Sequence, residues 1–208
     1  EKTSYYVSGI ALEDEGIIER TGYDKMGLRM NLDRQMSDIM RLTLSSNFIK
    51  SSSDRGLTNN ENANGITFGV ALVQTPNFWD GRPDANGNYP FNPFAASNPL
   101  QTRDFMVNRE DVQRTINSLK FDWALMTTAN QSLDFNITAG YDFFSQESLA
   151  LFPAFLQFES ENPPSGTVIQ GEAESANSNL YFNLVHSFIS DAGSIFTTSG
   201  GIQMEEQD

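Results

Sequence analysis

The amino-acid sequence predicts an all-β chain: antiparallel strands forming one segment of a transmembrane β-barrel wall. Three features of the 208 residues lead there: apolar and polar side chains alternate over long stretches, those stretches are long enough to cross a bilayer, and short and long connections alternate between them.

The clearest stretch is "SLDFNITAGYDFF", from Ser132 to Phe144. Leu133, Phe135, Ile137, Ala139, Tyr141 and Phe143 share one parity, while Asp134, Asn136, Thr138, Gly140 and Asp142 share the other. Successive side chains of a strand point to opposite faces, so this run builds one apolar and one polar face. A soluble sheet turns such an apolar face inward, whereas a membrane barrel turns it outward to lipid and its polar face to the lumen. One strand does not choose between the two.

Seven segments carry the pattern. The first, Thr3 to Leu12, is aromatic and β-rich with blurred parity. The second, Lys25 to Asp33, sets Met26, Leu28, Met30 and Leu32 against Lys25, Arg29, Asn31 and Asp33. The third, Ile39 to Lys50, sets Met40, Leu42, Leu44 and Phe48 against Arg41, Thr43, Ser45 and Asn47. In the fourth, Thr115 to Thr127, Leu119, Phe121, Trp123 and Leu125 oppose Ser118, Lys120 and Asp122. The fifth is the stretch quoted above. The sixth, Asn179 to Ile189, carries Leu180, Phe182, Leu184 and Phe188, and the seventh, Ser194 to Glu205, carries Phe196, Ile202 and Met204.

The links Arg34 to Asp38, Thr128 to Gln131 and Ser190 to Gly193 are short, whereas residues 13–24, 51–114 and 146–178 form long ones. Strict alternation puts the short turns at one end of the sheet and the long loops at the other, as in outer-membrane barrels. Greek-key sandwiches sort their loops less cleanly. The apolar sets imply strands of about 9–13 residues, close to the ~9–11 that cross a bilayer and longer than the ~5–6 of soluble strands. The competing architecture is a secreted, acidic β-sandwich that binds carbohydrate.

Composition narrows the function. With 13 Lys+Arg against 27 Asp+Glu the net charge is -14, which repels phosphate backbones and argues against nucleic-acid binding. Without cysteine there are neither disulfides nor thiolate metal sites, and no cofactor is expected. No apolar run of about 18 residues predicts a membrane helix, and a mean hydropathy of -0.40 is compatible with a barrel. The chain opens "EKTSYYVSG" with no signal-peptide pattern and closes "GGIQMEEQD" just after a strand, so an excerpt of a longer protein is expected.

Tyr5 to Asp54, "YYVSGIALEDEGIIERTGYDKMGLRMNLDRQMSDIMRLTLSSNFIKSSSD", resembles the start of the barrel in SusC/RagA-type TonB-linked (TonB-dependent) outer-membrane transporters. "NPL" (Asn98 to Leu100) followed by "NREDVQRTINSLKFDWALMTTANQSLDFNITAGYDF" (Asn108 to Phe143) is similar to a later hairpin of that family. The segments Gly56 to Pro99 and Phe158 to Glu174 match only loosely, so the resemblance leaves the substrate open. It implies a plugged barrel of about 22 strands importing glycans or peptides across the outer membrane of a Gram-negative bacterium. It also implies a SusD-like surface lipoprotein as lid and TonB as energy source. Residues 1–208 would then be a partial barrel domain, with plug and signal peptide outside it.

Candidate site residues fall in two places. The loop stretch "QTPNFWDGRPDANGNYPFNPF" offers Phe78, Trp79, Tyr89, Phe91 and Phe94 to stack on sugars or peptide side chains. The alternative is that they pack the loop on itself or against the lid. By parity Lys25, Arg29, Asp33, Arg41, Lys120, Asp122, Asp134 and Asp142 face the lumen, as a pore lining or as salt bridges to plug and neighbouring strands. "DANGN" (Asp84 to Asn88) begins like a calcium loop, but its glycine falls before the sixth place and Ala95 stands where the acid belongs, so Asn86-Gly87 reads as a tight turn. Catalysis has little basis: His186 is the only histidine and shares parity with Leu184 and Phe188, while Glu13/Glu15 and Glu159/Glu161 read as solvated loop acids.

Overall fold

The computed structural model describes residues 2–58, 65–160 and 163–208. Seven strands, β1 (Thr3–Glu15), β2 (Gly22–Ser37), β3 (Met40–Asp54), β4 (Val107–Thr127), β5 (Gln131–Phe152), β6 (Thr167–Ile189) and β7 (Ile195–Gln207), form one sheet in the order β1-β2-β3-β4-β5-β6-β7. Every neighbouring pair is antiparallel. Sequential hairpins with no strand returning across the sheet are the opposite of a Greek key, and no second sheet packs on the first among the described residues. The sandwich alternative is thereby set aside.

The register keeps like residues level. Leu32, Leu44, Leu119, Ala139, Leu180 and Met204 form one continuous rung, and Leu42, Phe121, Ile137, Phe182 and Ile202 form the next. On the opposite face Asp33, Thr43, Lys120, Thr138, Tyr181 and Gln203 lie side by side. The blurred parity of β1 resolves against its partner, with Tyr5 opposite Leu32 and Val7 opposite Met30. Neither face of the sheet is covered: Met30 is 45%, Phe48 44% and Ile202 63% exposed, and the buried apolar residues Ala71, Met106 and Leu156 all lie in the connections.

The strands run further than the alternation predicts. β4, β5 and β6 have 21, 22 and 23 residues, so the long connections contract to 16–21, 55–106 and 153–166. Past Phe144 the strands carry Ser145 opposite Glu174, Gln146 opposite Ala173, Glu147 opposite Glu172 and Ser148 opposite Gly171, with polar residues on both faces, so periodicity is blind to them while the backbone ladder continues. Glu13 and Glu15 accordingly sit at the end of β1, paired with Asp24 and Gly22, and not in a loop. A bulge between Ala124 and Met126 also moves Leu125 out of the Leu119–Trp123 series and sets Met126 opposite Leu133. Three short helices interrupt the connections: α1 (Phe68–Gln74), α2 (Pro99–Phe105) and α3 (Gln157–Ser160). No helix among the described residues is long and apolar enough to cross a membrane.

Backbones approach closely where β6 meets β7: a Cβ on Gly201 would stand 2.8 Å from the Phe182 carbonyl oxygen, whereas one on Gly200 meets nothing within 4 Å. Gly201→Ala is expected to lower unfolding stability by about 1–3 kcal/mol through a forced backbone shift. Gly200→Ala should leave it unchanged or higher, so equal urea midpoints for the two variants would refute the close-approach account.

Candidate functional site

The polar face of the sheet is organised by ion pairs, two across neighbouring strands and one along β4. Arg41 Nε donates to Asp33 Oδ1 and Oδ2 at 3.1 and 3.0 Å and Arg41 Nη2 to Oδ2 at 2.8 Å, while Thr43 Oγ1 adds a bond to the same carboxylate at 3.1 Å. Lys120 Nζ lies 3.0 Å from Asp122 Oδ1, which also accepts from Asn136 Nδ2 at 2.6 Å. Asp142 is held by Arg114, through Nε at 2.9 Å and Nη2 at 2.5 Å. Arg114 immediately precedes the fourth alternating segment, and one more step of the alternation places it on the same face as Lys120.

The remaining members of the predicted set share this face without close ion pairs among the described residues. Lys25 is opposite Leu12 and Ser51, Arg29 is opposite Ser8 and Asn47, and Asp134 is opposite Ala124 and Val185. Exposed pairs of this kind are individually weak, so their effect is to orient one another and to neutralise charge locally on the face. Arg41, Lys120 and Arg114 are thereby committed to carboxylates of the sheet itself.

At the other site, the β3–β4 connection folds around two buried asparagines. Asn98 caps α2, its Oδ1 accepting from Leu100 N at 3.0 Å and Gln101 N at 3.3 Å, with Pro99 at the first helical position. Its Nδ2 donates to the carbonyls of Gly81 and Pro90, both at 3.0 Å. Asn92 donates through Nδ2 to Thr75 Oγ1 at 2.8 Å and to the Ser97 carbonyl at 2.9 Å.

Gln157, from α3, latches the β5–β6 connection onto this fold. It accepts from Asn92 N at 2.7 Å and donates to the carbonyls of Asn92 and Ala95 at 2.9 and 3.0 Å, as a neighbouring strand would. Arg103 ties in the β1–β2 connection through Glu19 at 2.9 Å, and Arg20 donates to the Asp104 carbonyl. Between the β1–β2 and β3–β4 connections lies a cavity of about 420 Å³, walled in part by Arg20, Phe68 and Arg103.

The five predicted aromatics divide. Trp79 is half-buried against Gly81, and Tyr89 packs edge-on to Phe105 at 5.7 Å while donating its hydroxyl to the Asp104 carboxylate. Both hold the connection together. Phe78 is 79% and Phe91 61% exposed, and Phe94 meets Phe78 edge-on at 5.9 Å with its own outer surface open. Phe155, absent from the predicted set, joins from the β5–β6 connection at 5.0 Å from Phe105; its only sequence signal was the aromatic density of "LFPAFLQF".

The acidic and histidine candidates are occupied in place. Asp84 Oδ1 accepts from the backbone amides of Asn86 and Asn88, each at 2.9 Å, and Gly87 takes a φ of +83° to close the turn. Glu159 accepts from Gly166 N and Thr167 Oγ1, whereas Glu161 lies outside the described residues. His186 sits on the apolar face between Leu133 and Thr198, its Nε2 3.4 Å from Gln131 Oε1.

Comparison with known proteins places the fold. No family model and no curated protein matches the chain. Among solved structures, the RagAB peptide importer in its "closed-closed" state aligns with 100% of this chain at a TM-score of 0.63 and 14% identity. This chain spans 23% of the length of that one. The ferric-catecholate import receptor Fiu of E. coli K12 aligns over 99% of this chain and 28% of its own, at a TM-score of 0.47 and 12% identity. The seven-stranded antiparallel sheet has the same fold as a stretch of that RagAB structure.

The loop cap titrates at both extremes of pH. Burial works to raise the Asp104 carboxyl, but hydrogen bonds from Arg103 and Tyr89 outweigh it and hold it below its usual 3.8. Burial, reinforced by Asp104, pushes the Tyr89 phenol up to about 12. A depressed acid stabilises the fold above its unfolded value and loses that contribution as pH falls; a raised phenol stabilises below its unfolded value of 10 and loses it as pH rises toward 12. Cap order, followed by Trp79 emission, should therefore be flat between about pH 4 and 10 and fall on either side. Tyr89→Phe should delete the last phenol to ionise in a tyrosinate absorbance titration.

Proposed function

We propose that this chain is part of the barrel wall of a TonB-dependent outer-membrane importer of glycans or peptides that works with a SusD-like lid lipoprotein. The observation that carries the reading is the single meander sheet whose register makes one face apolar across every strand and the other polar and ion-paired. From Leu133 to Phe143 the apolar set of β5 spans ten residue steps. That is about 33 Å along a strand and about 25 Å of height at a tilt near 40°, the height of the apolar band on outer-membrane barrels.

On this reading the apolar face meets lipid, and Arg29, Arg41, Lys120, Asp122, Asp134 and Asp142 face the lumen. The short turns point to the periplasm and the latched connections to the cell exterior. Phe78, Phe91 and Phe94 are the aromatics available to substrate or lid, while Trp79 and Tyr89 serve the cap itself. The importer assignment draws on the likeness to the RagAB peptide importer, and the lid and TonB on the sequence resemblance. Plug, TonB-contacting segment and the remaining wall belong to parts of the protein outside this chain. The reading gives the chain no catalytic role.

Cysteine labelling of the complete protein in a bacterial outer membrane tests the face assignment. Asp134→Cys should react with a water-soluble maleimide and Phe135→Cys should not; equal labelling would sink it. In the same barrel Ile137→Arg should cost about 2–4 kcal/mol, and Thr138→Arg far less. For the loop aromatics, Phe78→Ala with Phe94→Ala should slow uptake of a peptide or glycan mixture several-fold while the barrel still resists heat on a gel. Unchanged uptake and unchanged lid co-purification would remove these residues from the site.

A further inference from the structure

The cavity of about 420 Å³ between the β1–β2 and β3–β4 connections is lined by none of Phe78, Phe91 and Phe94. Three separate pieces of chain wall it: Glu19 and Arg20 from the β1–β2 connection, Asp54 from the end of β3, and Phe68, Thr102 and Met106 from the β3–β4 connection. Thr102 is 2% exposed, and its Oγ1 is buried without a hydrogen-bond partner among the described residues. An orphaned buried hydroxyl costs free energy, which a ligand that bonds it recovers. Arg20 holds its backbone at a φ of +66°, a left-handed conformation that is costly for any residue with a side chain. That conformation sets Arg20 in the cavity wall, with Nη1 donating to the Asp104 carbonyl.

The charges of the wall offset one another. Arg103 lies 2.9 Å from Glu19 and 2.7 Å from Asp104, and Arg109, also in the wall, lies 3.0 Å from Asp111. An anion entering the cavity meets Asp54 and Glu19, and a cation meets three guanidiniums, so neither is favoured. A neutral ligand that both donates and accepts is favoured, because Arg20 donates, Asp54 accepts and Thr102 does either. Phe68 and Met106 add apolar surface to the same wall. The bounding strands β2, β3 and β4 are each paired on both sides, so no backbone edge is open to an extended peptide. At the low end of the ~300–1,000 Å³ of ligand pockets, the space suits one ring better than a chain.

We propose that this cavity binds one neutral monosaccharide unit of a glycan. Hydroxyls of the sugar accept from Arg20, donate to Asp54 and bond Thr102 Oγ1, while its C–H face lies against the ring of Phe68. A ligand so held touches the β1–β2 connection, the end of β3 and α2 together, and so ties the three pieces to one another. The proposal rests on the importer reading and goes further in two respects: it selects glycan over peptide, and it places a sugar site apart from the exposed rings of Phe78, Phe91 and Phe94.

The test uses the complete protein in a detergent without a sugar head, titrated with methyl glucoside, methyl galactoside and methyl mannoside and followed by saturation-transfer NMR. Glucuronate and dialanine serve as the charged and the peptide probe. One of the neutral glycosides should bind about tenfold more tightly than either. Thr102→Val should weaken that binding about fivefold while leaving the thermal midpoint unchanged or higher, because the hydroxyl it deletes bonds nothing within the fold. Arg20→Gly, which takes the same φ without strain, should weaken it about tenfold and provides a second variant that does not touch the buried core. No glycoside bound, glucuronate or dialanine bound as tightly, binding unchanged in both variants, or a midpoint lowered by Thr102→Val would overturn the proposal. Water-reagent labelling of Phe135→Cys separates the two readings: labelling there sinks the importer reading itself, whereas protection there with no sugar bound sinks only the sugar site.

Discussion

Cross-strand register is the constraint on which the rest of this structure depends. With a side-chain period of two, slipping any one strand by a single residue would move its leucines and phenylalanines to the face that carries Asp33, Lys120 and Asp142. The six pairings avoid this, setting Leu44 against Leu119, Ala139 against Leu180 and Phe182 against Ile202. Short connections help to hold the alignment, because a hairpin of few residues leaves little freedom to slide. The two register shifts, at Gln35/Ser37 and Ala124/Met126, both lie beside the short connections, where an extra residue leaves the long run of level rungs undisturbed.

Register then determines how the polar face is used. Arg41 is positioned over Asp33, and Arg114 over Asp142, because the pairing brings neighbouring strands into diagonal reach. These are exposed pairs with modest energies, and their consequence is electrical rather than cohesive: local positive charge is consumed within the sheet. Lys25, Arg29 and Asp134 stand apart from that pairing among the described residues, which leaves their charge for whatever lies against the face.

The connections follow a different logic. Where the sheet has no interior, the cap has a small one, made of Leu156 and Met106 together with polar side chains whose hydrogen bonds are met inside. Asn92, Asn98 and Gln157 replace the regular ladder that an irregular chain lacks, each amide using donors and acceptor together. Such a network ties the β3–β4 and β5–β6 connections into one body, so the exposed rings of Phe78, Phe91 and Phe94 are presented by a scaffold with few internal degrees of freedom.

Alternation in the sequence alone determined that there are seven strands, which residues share a face, and that short and long links take turns, because each is a local property that period two writes directly into neighbouring residues. The separation of Leu133 from Asp134, and of Met30 from Arg29, needs no tertiary information. Only the tertiary structure decided the rest. It extended β4, β5 and β6 into stretches polar on both faces, where no periodicity exists to be read, and it displaced Leu125 through a bulge that a repeat cannot register. It divided the loop aromatics into Trp79 and Tyr89, which pack into the cap, and Phe78, Phe91 and Phe94, which stay exposed on it, and it joined Gln157 to Asn92 across 65 positions. Contacts of that range arise from the meeting of separately folded connections, and no spacing within either one encodes them.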